Sequence, residues 1–225
     1  NIGILVSTSG VVGLNNTRKL DPEEFRGFVL CDRYAPLIFV NGADAKSAQM
    51  FTMPHELAHI WLGKDGIFNL IDMMPADNET ERFCNQVAAE FLIPVDKLTA
   101  RWPEAKSLDR PFHKISFWFK VSPLVAARRT LDLGFISREK FFAFYRQQQA
   151  EWNAQKAKQK EKGGGGDFYL TQDVRLGKRF ASAVVRAVRE GQLLYHDAYQ
   201  LTGLKGVTFD RYAARLTART EGGAA

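Results

Sequence analysis

The chain is poor in several things that would classify it quickly. It has only two cysteines in 225 residues, Cys31 and Cys84. That excludes a disulfide framework and makes the cytoplasm the expected compartment. No apolar run approaches the roughly 20 residues needed to span a bilayer, so no membrane partner is expected. The opening residues, NIGILVSTSG, lack an initiator Met, a basic leader and a long apolar core. They do not read as a signal peptide. They read as a strand entered part-way, as if an N-terminal element or domain belonged before it. Histidine is scarce too, with four in all.

What is present is a globular composition, 45% hydrophobic and 25% charged, enough for one large domain or two small ones. The net charge of +6 hides an asymmetry. Residues 1–100 carry 8 Lys/Arg against 13 Asp/Glu, and residues 101–225 carry 23 against 12. A basic second half suits nucleic acid or an acidic partner. It equally suits solvated helices.

The first third is β-prone. IGILV reads as a strand, and FRGFVL (25–30) and PLIFV (36–40) read as a hairpin with a longer loop. Asp44 is placed to cap a helix over about 45–62, which Gly63 stops. Residues 64–78 read as a loop, and a second helix spans about 79–92, before Pro94. Further on, Ser122 and Pro123 open a helix that Gly134 ends, and a long polar helix from about 137 leads into GGGG at 163–166. The tail, 167–217, reads as two or three short helices with one apolar face at Phe180, Val184, Val185 and Val188.

Two of the four histidines lie in FTMPHELAHIWLG (51–63). Residues i and i+4 of a helix share a face, so His55 and His59 can aim both imidazoles at one zinc ion. Glu56 beside them is placed to act as the base for a metal-activated water. Leu57, Ala58, Ile60 and Trp61 fill the other faces, and a polar stripe among apolar residues needs a partner. Pro54 stands just before this pair. Inside a helix it removes a hydrogen bond and kinks the axis, and the alternative is that the helix opens there. A third ligand comes most naturally from ETERFCNQVAAEFLIP, where Glu81, Asn85, Ala88 and Leu92 share one face. Glu79 and Glu90 compete with Glu81, and Asn78 with Glu81 also has the spacing of a capping box.

These two segments together resemble the ImmA/IrrE metallo-endopeptidases, whose signatures are an HExxH helix and a later E-x-x-x-N-x-x-A-x-x-x-L-x-P helix. Glu81, Asn85, Ala88, Leu92 and Pro94 match the second, and the likeness covers residues 1–100 well and runs loosely to about 145. The resemblance implies zinc held by His55, His59 and Glu81, with Glu56 as catalytic base. It implies cleavage of a helix-turn-helix repressor or an antitoxin-like partner, relieving repression. Pro54 departs from the small residue usual in the family. The implied fold is α+β. A minimal zincin-like domain (1–100) combines a small sheet, the HExxH helix and the third-ligand helix. A helical, helix-turn-helix-like module (101–162), the Gly linker (163–166) and a small helical module (167–225) follow.

Weaker signals accompany these. A strand of the hairpin could form a sheet edge for an extended peptide. Tyr34 and His113 are candidates for stabilising an oxyanion. The cadence of 113–134, with Arg128 and Arg129, suits DNA binding or a packing unit. The rival to a peptidase is a non-proteolytic regulatory protein with a structural or vestigial zinc site, binding a repressor, an antitoxin or DNA.

Overall fold

The computed structural model describes residues 3–68, 78–159 and 167–221. The GGGG linker and most of the expected 64–78 loop lie outside the described residues. Strand β1 (Leu5–Ser9) is followed by β2 (Gly27–Leu30), β3 (Leu37–Asn41), helix α1 (Lys46–Leu62) and β4 (Gly66–Phe68). Among the described residues nine further helices follow: α2 (Glu79–Leu92), α3 (Val95–Lys106), α4 (Pro111–Phe119), α5 (Pro123–Asp132), α6 (Arg138–Gln159), α7 (Phe168–Leu176), α8 (Lys178–Arg189), α9 (Tyr195–Thr202) and α10 (Gly206–Glu221). A small sheet followed by helices is the expected α+β order.

The sheet order is β1-β3-β2-β4, with β1 parallel to β3 and the other pairs antiparallel. The β2–β3 hairpin forms as expected, Phe28 facing Phe39, and Asp32 Oδ1 tightens its loop by accepting from the Tyr34 and Ala35 amides. Strand alternation sends Val29, Ile38 and Val40 toward α1, where Leu57 and Ile60 pack on them. Two expectations fail here. Residues 66–68 are a strand, not loop, and both hairpin strands are interior, so the edges fall to β1 and β4. Three residues are too few for a period-2 pattern, and β4 exists because β2 lends it a register.

Helix α1 runs unbroken from Lys46 with Pro54 inside it, so it does not open at the proline. Its N-cap is Ala45, which makes no side-chain cap bond. Asp44, expected to cap, instead pairs with buried Arg26 at 3.0 Å. Gly63 ends the helix in the left-handed region, with its own amide and that of Lys64 bonded back to Ile60 and His59.

Helix α2 has the expected limits. Asn78 caps it by accepting from the Thr80 amide at 2.9 Å. Ser122 caps α5 through the Val125 amide, and Gly134 follows it with φ 71°. One apolar cluster joins Phe51 of α1 and Ala88 of α2 to Leu98, Phe112, Ile115, Val125 and Phe141 of the following helices. Arg129 ties α2 down further: its Nε donates to the Ile93 carbonyl at 3.1 Å and its Nη2 bonds Glu90.

The tail forms four helices where two or three were expected, with Val184 and Val185 buried and Phe180 and Val188 half-buried against them. Helix α7 lies along β1, and Arg175 at its end donates to the carbonyls of Gly13 and Thr202. No helix among the described residues is long and apolar enough to cross a membrane.

Candidate metal centre

His55 and His59 leave α1 from one face, and their Nε2 atoms stand 3.2 Å apart. Glu81, in the first turn of α2, reaches both: Oε2 is 3.2 Å from His55 Nε2 and Oε1 is 3.1 Å from His59 Nε2. Zinc bonds of about 2.0–2.1 Å in a tetrahedron imply ligand spacings of about 3.3 Å, close to these. Among the described residues no other His, Cys, Asp or Glu cluster converges in this way. The donor set is two imidazole nitrogens and a carboxylate, ligand types that suit zinc.

The competing carboxylates are elsewhere. Glu79 is exposed and 4.0 Å from Arg82, and Glu90 pairs with Arg129. Asn85 lies one turn beyond Glu81, and its Oδ1 is 3.1 Å from His55 Nδ1. An amide oxygen only accepts, so this contact favours the proton on Nδ1, the tautomer in which the Nε2 lone pair is open to a metal. Fully buried Ala88 lets α1 and α2 approach closely.

Glu56 is fully buried, and among the described residues neither of its carboxylate oxygens has a hydrogen-bond partner. Burial, and then the Glu81 charge, pushes its carboxyl up to about 8. Glu81 goes the other way, held at about 2 chiefly by hydrogen bonds from His55 and His59. Two neighbouring carboxyl groups are thus driven apart by environment, one toward holding a proton and one toward holding charge. Burial also pushes the Cys84 thiol up to about 12, so it stays neutral.

Two glycines escaped sequence reasoning. A Cβ on Gly27 of β2 would stand 2.5 Å from Thr52 Cγ2 and 3.2 Å from Glu56 Oε1. A Cβ on Gly66 of β4 would stand 2.9–3.1 Å from three atoms of the His59 ring. Both strands need glycine so that α1 can carry its functional side chains against the sheet. Gly66→Ala is expected to displace His59 and weaken metal binding by about 10–100-fold, the cost of disturbing a ligand's supporting contacts. Competition against a chromophoric chelator measures this, and an unchanged affinity contradicts it.

The sequence profile of the IrrE N-terminal-like domain (Peptidase_M78) matches residues 15–131, just over half of the chain. The chain belongs to this peptidase family. The matched span contains His55, Glu56, His59 and Glu81 with the helices that hold them, and it extends through nearly all of α5. A second profile, a domain of unknown function (DUF8813), matches residues 176–215. No curated protein and no solved structure matches the chain.

Within the IrrE-like span the remaining candidates take other places. Tyr34 is exposed on the hairpin loop beneath the Arg33 guanidinium, and His113 packs edge-on against Phe144 in the helical module. Neither contributes an atom to the His–His–Glu cluster. Arg129 is buried in its bonds to Ile93 and Glu90, and Arg128 pairs with Asp132 at 2.8 Å. Five of the ten residues of α5 are buried, so this helix is largely given to packing.

Proposed function

We propose that the chain is a zinc-dependent endopeptidase acting on a protein partner of the helix-turn-helix repressor or antitoxin-like class. The observation that carries this reading is the meeting of His55 Nε2, His59 Nε2 and the Glu81 carboxylate within 3.2 Å, beside an unpartnered Glu56. Zinc, held by His55, His59 and Glu81, would supply a Lewis acid that makes a water acidic near pH 7. Glu56 takes the proton of the attacking water on a carboxylate oxygen and returns it to the departing amine nitrogen. Asn85 holds His55 in the tautomer that leaves Nε2 free for the metal. The substrate lies extended along β4, which pairs with β2 on one side and sits against His59 through Gly66.

A second reading draws on the sealing of Glu56, which is 0% exposed. A base closed off from solvent also fits a regulatory protein whose zinc is structural. Zinc content tests what both share. Purified protein is expected to hold one zinc per chain by elemental mass spectrometry, and His55→Ala to hold less than a tenth of that. Protein that carries no zinc and takes up none on dialysis overturns both readings.

A further inference from the structure

The metal centre leaves the last three helices without a role. Helix α9 ends at Thr202, α10 begins at Gly206, and only Gly203, Leu204 and Lys205 join them. This turn is closely specified. Gly203 takes a left-handed φ of 69° and its amide donates to the Tyr199 carbonyl at 2.8 Å. The Leu204 amide donates to Thr202 Oγ1 at 3.2 Å, and the Leu204 side chain is buried. On α10, Phe209, Tyr212 and Leu216 recur at helical spacing and pack with Ala181, Val184 and Val185 of α8 and Ala198 of α9. The Phe209 ring lies 5.5 Å from that of Tyr199 and 6.0 Å from that of Tyr195, which fixes α10 against α9. Two helices joined by a short Gly turn and backed by a third form the helix-turn-helix arrangement, whose second helix enters the DNA major groove.

The other face of α10 is open. Lys205 in the turn and Val207, Thr208, Asp210 and Arg211 in its N-terminal half are all exposed, and this is the part that reaches base edges in this motif. Arg211 suits guanine O6 and N7, and the methyl groups of Val207 and Thr208 suit the thymine methyl. Val207, at the helix start, is 65% exposed. The backing helix is basic: α8 carries Lys178, Arg179, Arg186 and Arg189, all exposed, and no acidic residue, a charge suited to phosphates. The α4–α5 pair has the same cadence but buries five of the ten residues of its second helix. Spacing is shared by the two pairs, and only the second leaves a face to read with.

We propose that α8–α10, most of which the domain of unknown function covers, is a helix-turn-helix unit that binds duplex DNA with α10 in the major groove. Its test needs no metal, so its outcome is separate from that of the endopeptidase reading. The full chain is titrated into random-sequence duplexes of about 24 base pairs at rising KCl, and a preferred site is then selected from a randomised library. Affinity is expected to fall at least tenfold between about 50 and 200 mM salt. Arg211→Ala is expected to lose about tenfold on the selected site and relax one base position. Lys178→Ala with Arg179→Ala should weaken random and selected duplexes alike. All three residues are exposed, so the variants should melt with the parent protein. Three results overturn the proposal: no duplex binding at 50 mM salt, no enriched sequence, or binding that Arg211→Ala and Val207→Glu leave unchanged.

Discussion

Glu56→Gln is expected to abolish hydrolysis, keep the zinc, and make the metal-free protein more stable. The loss of a positioned general base lowers turnover by about 10²–10⁴-fold. Cleavage of a proteome-derived peptide library, read by mass spectrometry, measures it. The stability gain follows from burial. The folded carboxyl titrates at about 8 against 4.5 for the unfolded group. A group raised in this way contributes its full stability below the unfolded value and loses it as the pH climbs through the folded one. Between pH 4.5 and 8 the folded chain therefore grows weaker, and at pH 7 the deficit is about 3 kcal/mol. Glutamine is neutral throughout and avoids it. Chelator-treated wild type should lose melting temperature from pH 5 to 8 while the variant stays flat, about 6–12 °C higher at pH 7. A variant that still cleaves at more than a tenth of the parent rate removes Glu56 from the mechanism. The same variant, holding zinc but not turning over, should retain its substrate partner through purification.

The histidine pair was legible because the i, i+4 rule is local and both histidines lie on α1 just downstream of Pro54. The third ligand was less so. Glu79, Glu81 and Glu90 lie on one helix, and nothing within that helix ranks them. What separates them is tertiary: Glu90 is drawn to Arg129, 39 residues on, and Glu79 projects into solvent. The second motif favoured Glu81, and the face it shares with Asn85 is the one that meets α1. Gly27 and Gly66 could not be read at all, since their importance lies in what a Cβ would strike on another element. The same limit explains the two helix-turn-helix cadences. Their spacing can be read from the sequence, but burial decides which second helix is free.

Asp44 shows a local rule yielding to a distant partner, and its removal should cost the fold more than any cap would. An aspartate just before a helix reads as an N-cap worth about 1 kcal/mol. Here its Oδ2 meets Arg26 Nη1 at 3.0 Å, with the two side chains 1% and 7% exposed. Burial draws the Arg26 pKa down and the Asp44 charge opposes that. Without Asp44 the guanidinium stays out of water lacking its counter-charge, so Asp44→Ala is expected to cost about 3–5 kcal/mol in urea unfolding. Replacing both partners with apolar groups, Arg26→Met with Asp44→Leu, removes the stranded charge and should restore at least wild-type stability. The pair also bears on the metal. Arg26 precedes Gly27, which faces Glu56, and Asp44 lies two residues before the helix that carries both histidines. Asp44→Ala should therefore weaken zinc binding as well as the fold, and the double variant should recover both together. A single-variant loss below about 1 kcal/mol would mean the pair is screened by solvent and holds neither.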